Sequence, residues 1–329
     1  MGSPDGVGLC TDIPAFPGFY DYAKLVGSSS VLAAELLCQR SHDLVLNWLG
    51  GFHHAKRAKA SGFCYVNDCV LAILRLLLDF RRVLYVDIDV HHGDGVEEAF
   101  LCTSRVLTLS FHQYEPERYF FPGTGGPADA GCGEGRFYAV NVPLRRGIRD
   151  ANYALVFDSV FRRAVEAYRP DAIVLQSGAD SLAGDAIGGF NLSFEGHGHA
   201  FKAVLDQHLP TLCLGGGGYT VENVTRCWTY ESALALDVTL DETLPENLEY
   251  RGSYSSKYLA YQPCNGQAGP DLNDHRSLAA TICAAQRRLQ RIAPAAAFLD
   301  ASDAQQRFAE LQERGGSPSL LTDLSEEER

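Results

Sequence analysis

The sequence predicts an α/β protein of three layers, with helices on both faces of a mainly parallel β-sheet. Two observations carry this. Short β-branched or aliphatic runs recur along the chain, each running into a polar or glycine-rich loop, and amphipathic helical patterns lie between several of them. Continuous apolar runs of that length read as strands buried on both faces. Strand alternating with helix is the pattern of a parallel sheet wound through crossover helices.

Taken in order, the predicted strands span 44–48, 83–88, 106–111, 137–142, 172–176 and 211–214. Helical patterns cover 67–78, 151–168 and 194–207, with a further one over 277–292. The first opens at Asn67-Asp68, a start signal because a short polar side chain accepts from the free N–H groups of the first turn. The second follows Asp150, read the same way. Segment 112–136 is a long loop with six glycines and three prolines, a length that is usually functional; its Tyr119-Phe120-Phe121 run suggests a wall or lid. Past 263 the pattern weakens. We place a single domain over 1–292 and expect 293–329, which ends in Ser-Glu-Glu-Glu-Arg, to be an acidic disordered tail.

The 329 residues carry 28 Lys and Arg against 41 Asp and Glu, a net charge of −13. That balance argues against direct DNA binding, which rests on cations at phosphates, and suits a basic partner. Ten cysteines are scattered with no C-x-x-C pair and no secretory leader, so they read as reduced thiols in the nucleus and cytoplasm. The most apolar run, 69–78, is too short to cross a membrane and contains Arg75.

In an open parallel sheet, ligands sit at the carboxyl ends of the strands. The polar residues gather there: Gly50-Gly51-Phe52-His53-His54, Asp87 through Asp94, Ser177-Gly178-Ala179-Asp180, and Gly215 through Tyr219. Asp87, Asp89 and His91 alternate at a strand end, and so share a face. A carboxylate and an imidazole spaced in this way form half of a metal site, for which Asp180 is the natural third ligand. His53 and His54 can be ligands or an acid–base pair. We favour the latter, with Asp87 and Asp94 as partners that fix the imidazole tautomers. The four-glycine run lacks the Lys-Ser/Thr of a phosphate loop. It brings backbone close to a ligand and presents the Tyr219 phenol to a developing oxyanion. Metal, base and oxyanion donor together describe hydrolysis of an amide or a related bond.

The runs Gly50-Gly51-Phe52-His53-His54-Ala55-Lys56, Ala60-Ser61-Gly62-Phe63-Cys64-Tyr65-Val66-Asn67-Asp68, Asp87 to Gly95, Phe120-Phe121-Pro122-Gly123-Thr124-Gly125, Gln176 to Asp185, and Gly215 to Tyr219 with Arg226-Cys227-Trp228-Thr229-Tyr230 resemble the class I zinc-dependent histone deacetylases. The resemblance is strongest over 11–262. It implies the arginase/deacetylase fold, zinc or iron(II) on Asp89, His91 and Asp180, and catalysis by His53, His54, Asp87, Asp94 and Tyr219. It further implies an acyl-lysine channel lined by Gly62, Phe63, Phe121 and Ile187, with Asp12 at its rim. K+ or another monovalent cation would sit on Asp87, Asp89, His91, Ser110 and Phe111, and a second on Phe100, Thr103, Val106 and Tyr138. The implied substrates are acetylated lysine-rich proteins, histone tails among them, and the implied role is repression of transcription.

The second metal of arginase is not expected, since Gly93 and Leu182 stand where its extra aspartates would be. Ala186 and Glu222 replace the arginines with which corepressor-associated members hold an inositol phosphate, so neither that ligand nor a corepressor complex is expected. The family's domain begins with a strand, a mouth loop and an arginine that precede the rim aspartate. This chain starts close to Asp12, so the sequence reads as N-terminally truncated. An inactive binding or regulatory module, and an enzyme for acetylpolyamines or longer acyl chains, therefore stand as alternatives.

Overall fold

In a computed structural model of the chain, residues 6–10, 12–241, 243–254 and 269–292 are described. The expected tail, 293–329, lies outside them. The described residues form a six-stranded sheet whose neighbours all pair in parallel: β1 (Leu44–Asn47), β2 (Val83–Asp87), β3 (Val106–Gln113), β4 (Ala139–Leu144), β5 (Ala172–Gln176) and β6 (Thr211–Leu214), in the order β1-β6-β5-β2-β3-β4. All six strands are those the sequence predicts, with ends shifted by at most two residues. The strand β2 stops at Asp87, so Asp89 and His91 lie on an irregular bend beyond it and not on the strand itself.

The α-helices among the described residues are α1 (Phe19–Cys38), α2 (Asp68–Leu76), α3 (Asp94–Phe100), α4 (Asp150–Tyr168), α5 (Phe194–Leu205), α6 (Val221–Leu236) and α7 (His275–Gln290). Because side chains alternate along a strand, each strand feeds two cores. Val83 and Tyr85 of β2 join Leu37 of α1 and Ile73 of α2 on one face, while Leu84 and Val86 join Phe157 of α4 and Phe201 of α5 on the other. Helix α7 completes the second layer against α4 and β4. Three layers result, as expected.

Helices α1, α3 and α6 are not set out by periodicity. The run Gly27-Ser28-Ser29-Ser30 interrupts the apolar pattern of α1, yet Gly27 and Ser30 are buried there. Asp150 is not the cap of α4; it lies in the first turn, and its carboxylate accepts from the Ser193 N–H at 2.8 Å and the Ser193 hydroxyl at 2.6 Å, tying α4 to the start of α5. Tyr119 points into solvent at 93% exposure and takes no part in a wall.

The order of the strands decides where a ligand can sit. From β2 the chain steps outward through β3 to β4, then returns to lay β5 on the other side of β2 and continues to β6. The connections leaving β2 and β5 thus diverge, opening a crevice at the carboxyl ends of these two neighbours. At one sheet edge β1 is held by β6, and the outer faces of α1 and α2 expose Leu25, Leu32 and Leu74. A cavity of 990 Å³ lies there, away from the polar cluster, lined by Phe19, Tyr20, Leu32 and Leu71 among others.

The start of α2 holds the histidine loop in place. The Asn67 side-chain oxygen caps the helix by accepting from the Val70 N–H, while its amide donates to the carbonyls of His53 and Ala55, both at 3.0 Å. The buried Asp68 carboxylate accepts from the Gly51 and Phe52 N–H groups and from the Ser30 hydroxyl. Replacing Asp68→Ala removes the acceptor of three donors and is expected to lower stability by about 3 kcal/mol, read as a fall in the urea midpoint with an unchanged slope.

Candidate metal and acid–base site

The bend after β2 and the turn after β5 bring three buried ligand groups together: Asp89, His91 and Asp180, whose ligand atoms all lie within 4.8 Å of one another. His91 Nδ1 is 3.1 Å from Asp89 Oδ1 and 3.0 Å from Asp180 Oδ2. Backbone and amide donors steady the carboxylates. Val90 N–H donates to Asp180 Oδ1, while Gln176 Nε2 and Gly217 N–H both donate to Asp89 Oδ2, each at 2.8 Å. A Cβ on residue 217 would lie 2.0 Å from Asp180 Oδ2, so the glycine is what lets this strand of backbone reach the carboxylates.

Two adjacent buried carboxylates repel, and low dielectric magnifies the repulsion. Burial and the Asp89 charge push Asp180 up to about 7. Burial opposes a charge on His91, yet its hydrogen bonds to Asp180 and Asp89 raise it to about 10. The site therefore demands positive charge. Two carboxylates and an imidazole are the donor set of zinc or iron(II), so these residues fit a divalent cation.

His53 and His54 reach the same place from the loop after β1. Gly51, at φ 102°, makes the turn where a Cβ would meet the Gly215 carbonyl oxygen at 2.3 Å. His53 Nδ1–H donates to Asp87 Oδ2, and His54 Nδ1–H donates to Asp94 Oδ1, each at 2.8 Å. The two Nε2 atoms are 3.0 Å apart, so one must donate to the other. Charges decide which. Burial alone lowers His53, but Asp87 and Asp89 outweigh it and raise the imidazole to about 9. Burial and the positive His53 push His54 down to about 3. His53 therefore carries both protons, and neutral His54 accepts at Nε2. Tyr85 hydroxyl reinforces Asp87 at 2.7 Å, and Lys56 Nζ reinforces Asp94 at 2.6 Å.

A cleft of 480 Å³ opens over this cluster, lined by Asp12, Gly62, Phe63, Phe121, Ile187 and Tyr219 as well as His54 and His91. All five residues expected along the channel and its rim thus lie on one cleft with the histidines. Phe121 meets the His54 ring edge-on at 4.9 Å, while Phe120 stacks on His91 at 5.2 Å. Burial, with the charges of Asp180 and Asp89, holds the Tyr219 phenol above its ordinary range, so it keeps its proton. Of the expected monovalent-cation positions, Asp87 and Ser110 face each other as register partners on β2 and β3. Those at Phe100 and Tyr138 use one lone pair of each carbonyl on the N–H groups of Thr103 and Thr108.

Sequence reasoning missed the polar brace behind Asp180. Glu231 of α6 accepts from the Ser177 hydroxyl at 2.9 Å and lies 2.7 Å from His197 Nδ1. His197 Nε2–H donates to the Gly178 carbonyl, and Trp228 Nε1–H to that of Ser177, both at 2.9 Å. With Cys227, this is another cluster of metal-ligating atoms among the described residues, but its donors already hold the β5 exit. The signal in the sequence is weak: His197 and Glu231 are ionisable residues that α5 and α6 carry into the buried layer. Glu231→Gln is expected to loosen that turn and weaken the affinity of the site for an added divalent cation about tenfold, measured by competition with a chelator. Unchanged affinity would show that the brace has no such effect.

The histone deacetylase domain family matches residues 3–235. The chain is 53% identical over 243 residues to histone deacetylase 1 of Homo sapiens, covering 73% of this chain and 50% of that protein. It is 53% identical over 251 residues to histone deacetylase 3 of Oryza sativa subsp. japonica, with 76% and 49% covered. To the probable histone deacetylase 1-B of Xenopus laevis it is 52% identical over 243 residues, with 73% and 50% covered. The chain thus spans about half the length of the curated relatives it matches. The matches reach the class; a finer likeness to histone deacetylase 8, suggested by Thr11-Asp12-Ile13-Pro14-Ala15, Asp21-Tyr22-Ala23 and Leu244-Pro245, is not among what they show.

Proposed function

This chain belongs to the histone deacetylase family, and on that premise we propose that it is a metal-dependent lysine deacetylase, hydrolysing N6-acetyl-lysine on histone tails and other proteins to lysine and acetate. The observation that carries the reading is a single cleft lined at once by His54, His91 and Tyr219 at its floor and by Phe63, Phe121 and Ile187 along its walls. Apolar walls suit the aliphatic stem of lysine, and the ionisable floor suits its amide.

In this reading Asp89, His91 and Asp180 hold zinc or iron(II), which when bound supplies the positive charge that acidifies water and polarises the acetyl carbonyl. His54 Nε2, the neutral acceptor, takes the proton of the attacking water. As His54 exchanges its hydrogen bond with His53 for one from the water, His53, held protonated by Asp87, gives its own Nε2 proton to the departing lysine amine, and the proton gained by His54 then resets the pair across the 3.0 Å Nε2–Nε2 contact. Tyr219 donates its hydroxyl proton to the oxyanion as charge develops there, an interaction stronger in the transition state than in the substrate. Phe63 and Phe121 narrow the cleft and exclude bulk water. Asp12 accepts from the substrate backbone at the rim. A monovalent cation against Asp87 would weaken its hold on the His53 proton.

The net charge of −13 supports basic tails as substrates and the absence of DNA binding. We place the protein in the nucleus, where the substrates are, and in the cytoplasm. Ala186 and Glu222 support independence from inositol phosphate and corepressors.

Tyr219→Phe keeps the ring and removes the donor. It is expected to lower kcat on an acetyl-lysine peptide about 100-fold or more, with metal stoichiometry unchanged. Undiminished turnover would refute the role given to Tyr219. KM for a Lys- and Arg-rich acetylated peptide is expected to rise with ionic strength, as the Debye length shrinks below about 8 Å. An acetylated polyamine that outcompetes the peptide would redirect the substrate class, and stoichiometric metal binding without turnover would indicate a binding module.

A further inference from the structure

Cys102 follows the last turn of α3, and Cys132 lies thirty residues on, in the loop that returns to β4; both are exposed. Their Sγ atoms are 2.8 Å apart. The surrounding backbone maintains this approach. Cys132 N–H donates to the Leu101 carbonyl at 2.8 Å, and residues 131 and 135 pack so tightly on 101–103 that a Cβ on either would lie within 3.0 Å of Leu101 oxygen. The two chain segments are therefore held in register by main-chain contacts, independently of the thiols.

We propose that Cys102 and Cys132 form a reversible disulfide, a redox-controlled staple for the loop that carries the cleft wall. The oxidant is a low-molecular-weight disulfide such as oxidised glutathione. Cys102 thiolate attacks one of its sulfurs and expels the first glutathione thiolate. Cys132 then loses its proton to solvent, attacks Cys102 Sγ and displaces the second, so that one Sγ–Sγ bond forms as one S–S bond is broken. The two electrons leave on two glutathione molecules, which take up the two protons. Contact with the neighbouring thiol raises the Cys132 pKa.

The segment enclosed between the two cysteines contains β3, Phe120 and Phe121. It also contains Thr124, whose hydroxyl lies 2.8 Å from His92 Nδ1, and Gly125, whose carbonyl lies 3.0 Å from His112 Nε2. Closing it covalently restricts the unfolded chain and the returning arm of the loop together. In a reducing compartment such a bond is transient and depends on the glutathione ratio.

The test is to incubate the folded protein across a series of oxidised-to-reduced glutathione ratios, block free thiols and digest with trypsin without reductant. The expected product joins peptides 83–105 and 119–136, each of which contains one cysteine. It should vanish with dithiothreitol and with either Cys102→Ser or Cys132→Ser, and persist in Cys10→Ser. The oxidised protein should melt about 5 °C higher than the reduced form. Both thiols alkylated at full oxidation, a glutathione on each, or a link formed only after unfolding would overturn the proposal. The readouts do not use catalysis, so they stand apart from the deacetylase reading.

Discussion

Two carboxylates, Asp89 and Asp180, are forced together at the carboxyl ends of β2 and β5, where the connections leaving these strands diverge, and the molecule around them is arranged to make that tolerable. A pair of buried like charges is unstable in a low-dielectric interior unless positive charge and hydrogen-bond donors converge on it. Here the donors are Gln176 Nε2 and the N–H groups of Val90 and Gly217, from three different parts of the chain. The imidazole of His91 completes the set. A divalent cation answers the same demand with more charge in less space.

The acid–base pair follows from this arrangement. His53 lies 3.8 Å from Asp89 as well as beside Asp87, so the carboxylate cluster helps make it cationic. That charge in turn keeps His54 neutral at 3.0 Å. Two chemically identical neighbours in the chain thereby acquire opposite proton occupancy, which is what a concerted donor and acceptor require. Their difference arises from which carboxylate lies behind each and how much positive charge lies in front.

Behind the reacting groups, each loop is anchored by a helix on its own side of the sheet. Asn67 and Asp68 of the α2 start secure the histidine loop from one face; His197 of α5 with Trp228 and Glu231 of α6 secure the Ser177–Gly178 turn from the other. Trp48 and Trp228 stack at 5.5 Å, joining β1 to that second support. A site built from loops gains its precision from such buried hydrogen bonds, since the loops have little regular structure of their own.

The sequence by itself determined the alternation of strand and helix, because burial on both sides of a sheet demands unbroken apolar runs such as 83–86 and 172–175. It also marked Asp89, His91, Asp180 and the His53-His54 pair, since ionisable residues clustered at strand ends have no role in a core. It did not reveal α6 or its Glu231, nor the second task of Asp150, because their partners, His197 and Ser193, lie 34 and 43 residues away along the chain. Nor could it show that β2 ends at Asp87, that Tyr119 turns outward, or that Cys102 and Cys132 meet. Those are decided by which strands become neighbours. Local pattern encodes the preference of a segment for being buried, whereas the strand order decides which buried or returning segments share a place, and only there do charges, thiols and hydrogen bonds acquire partners.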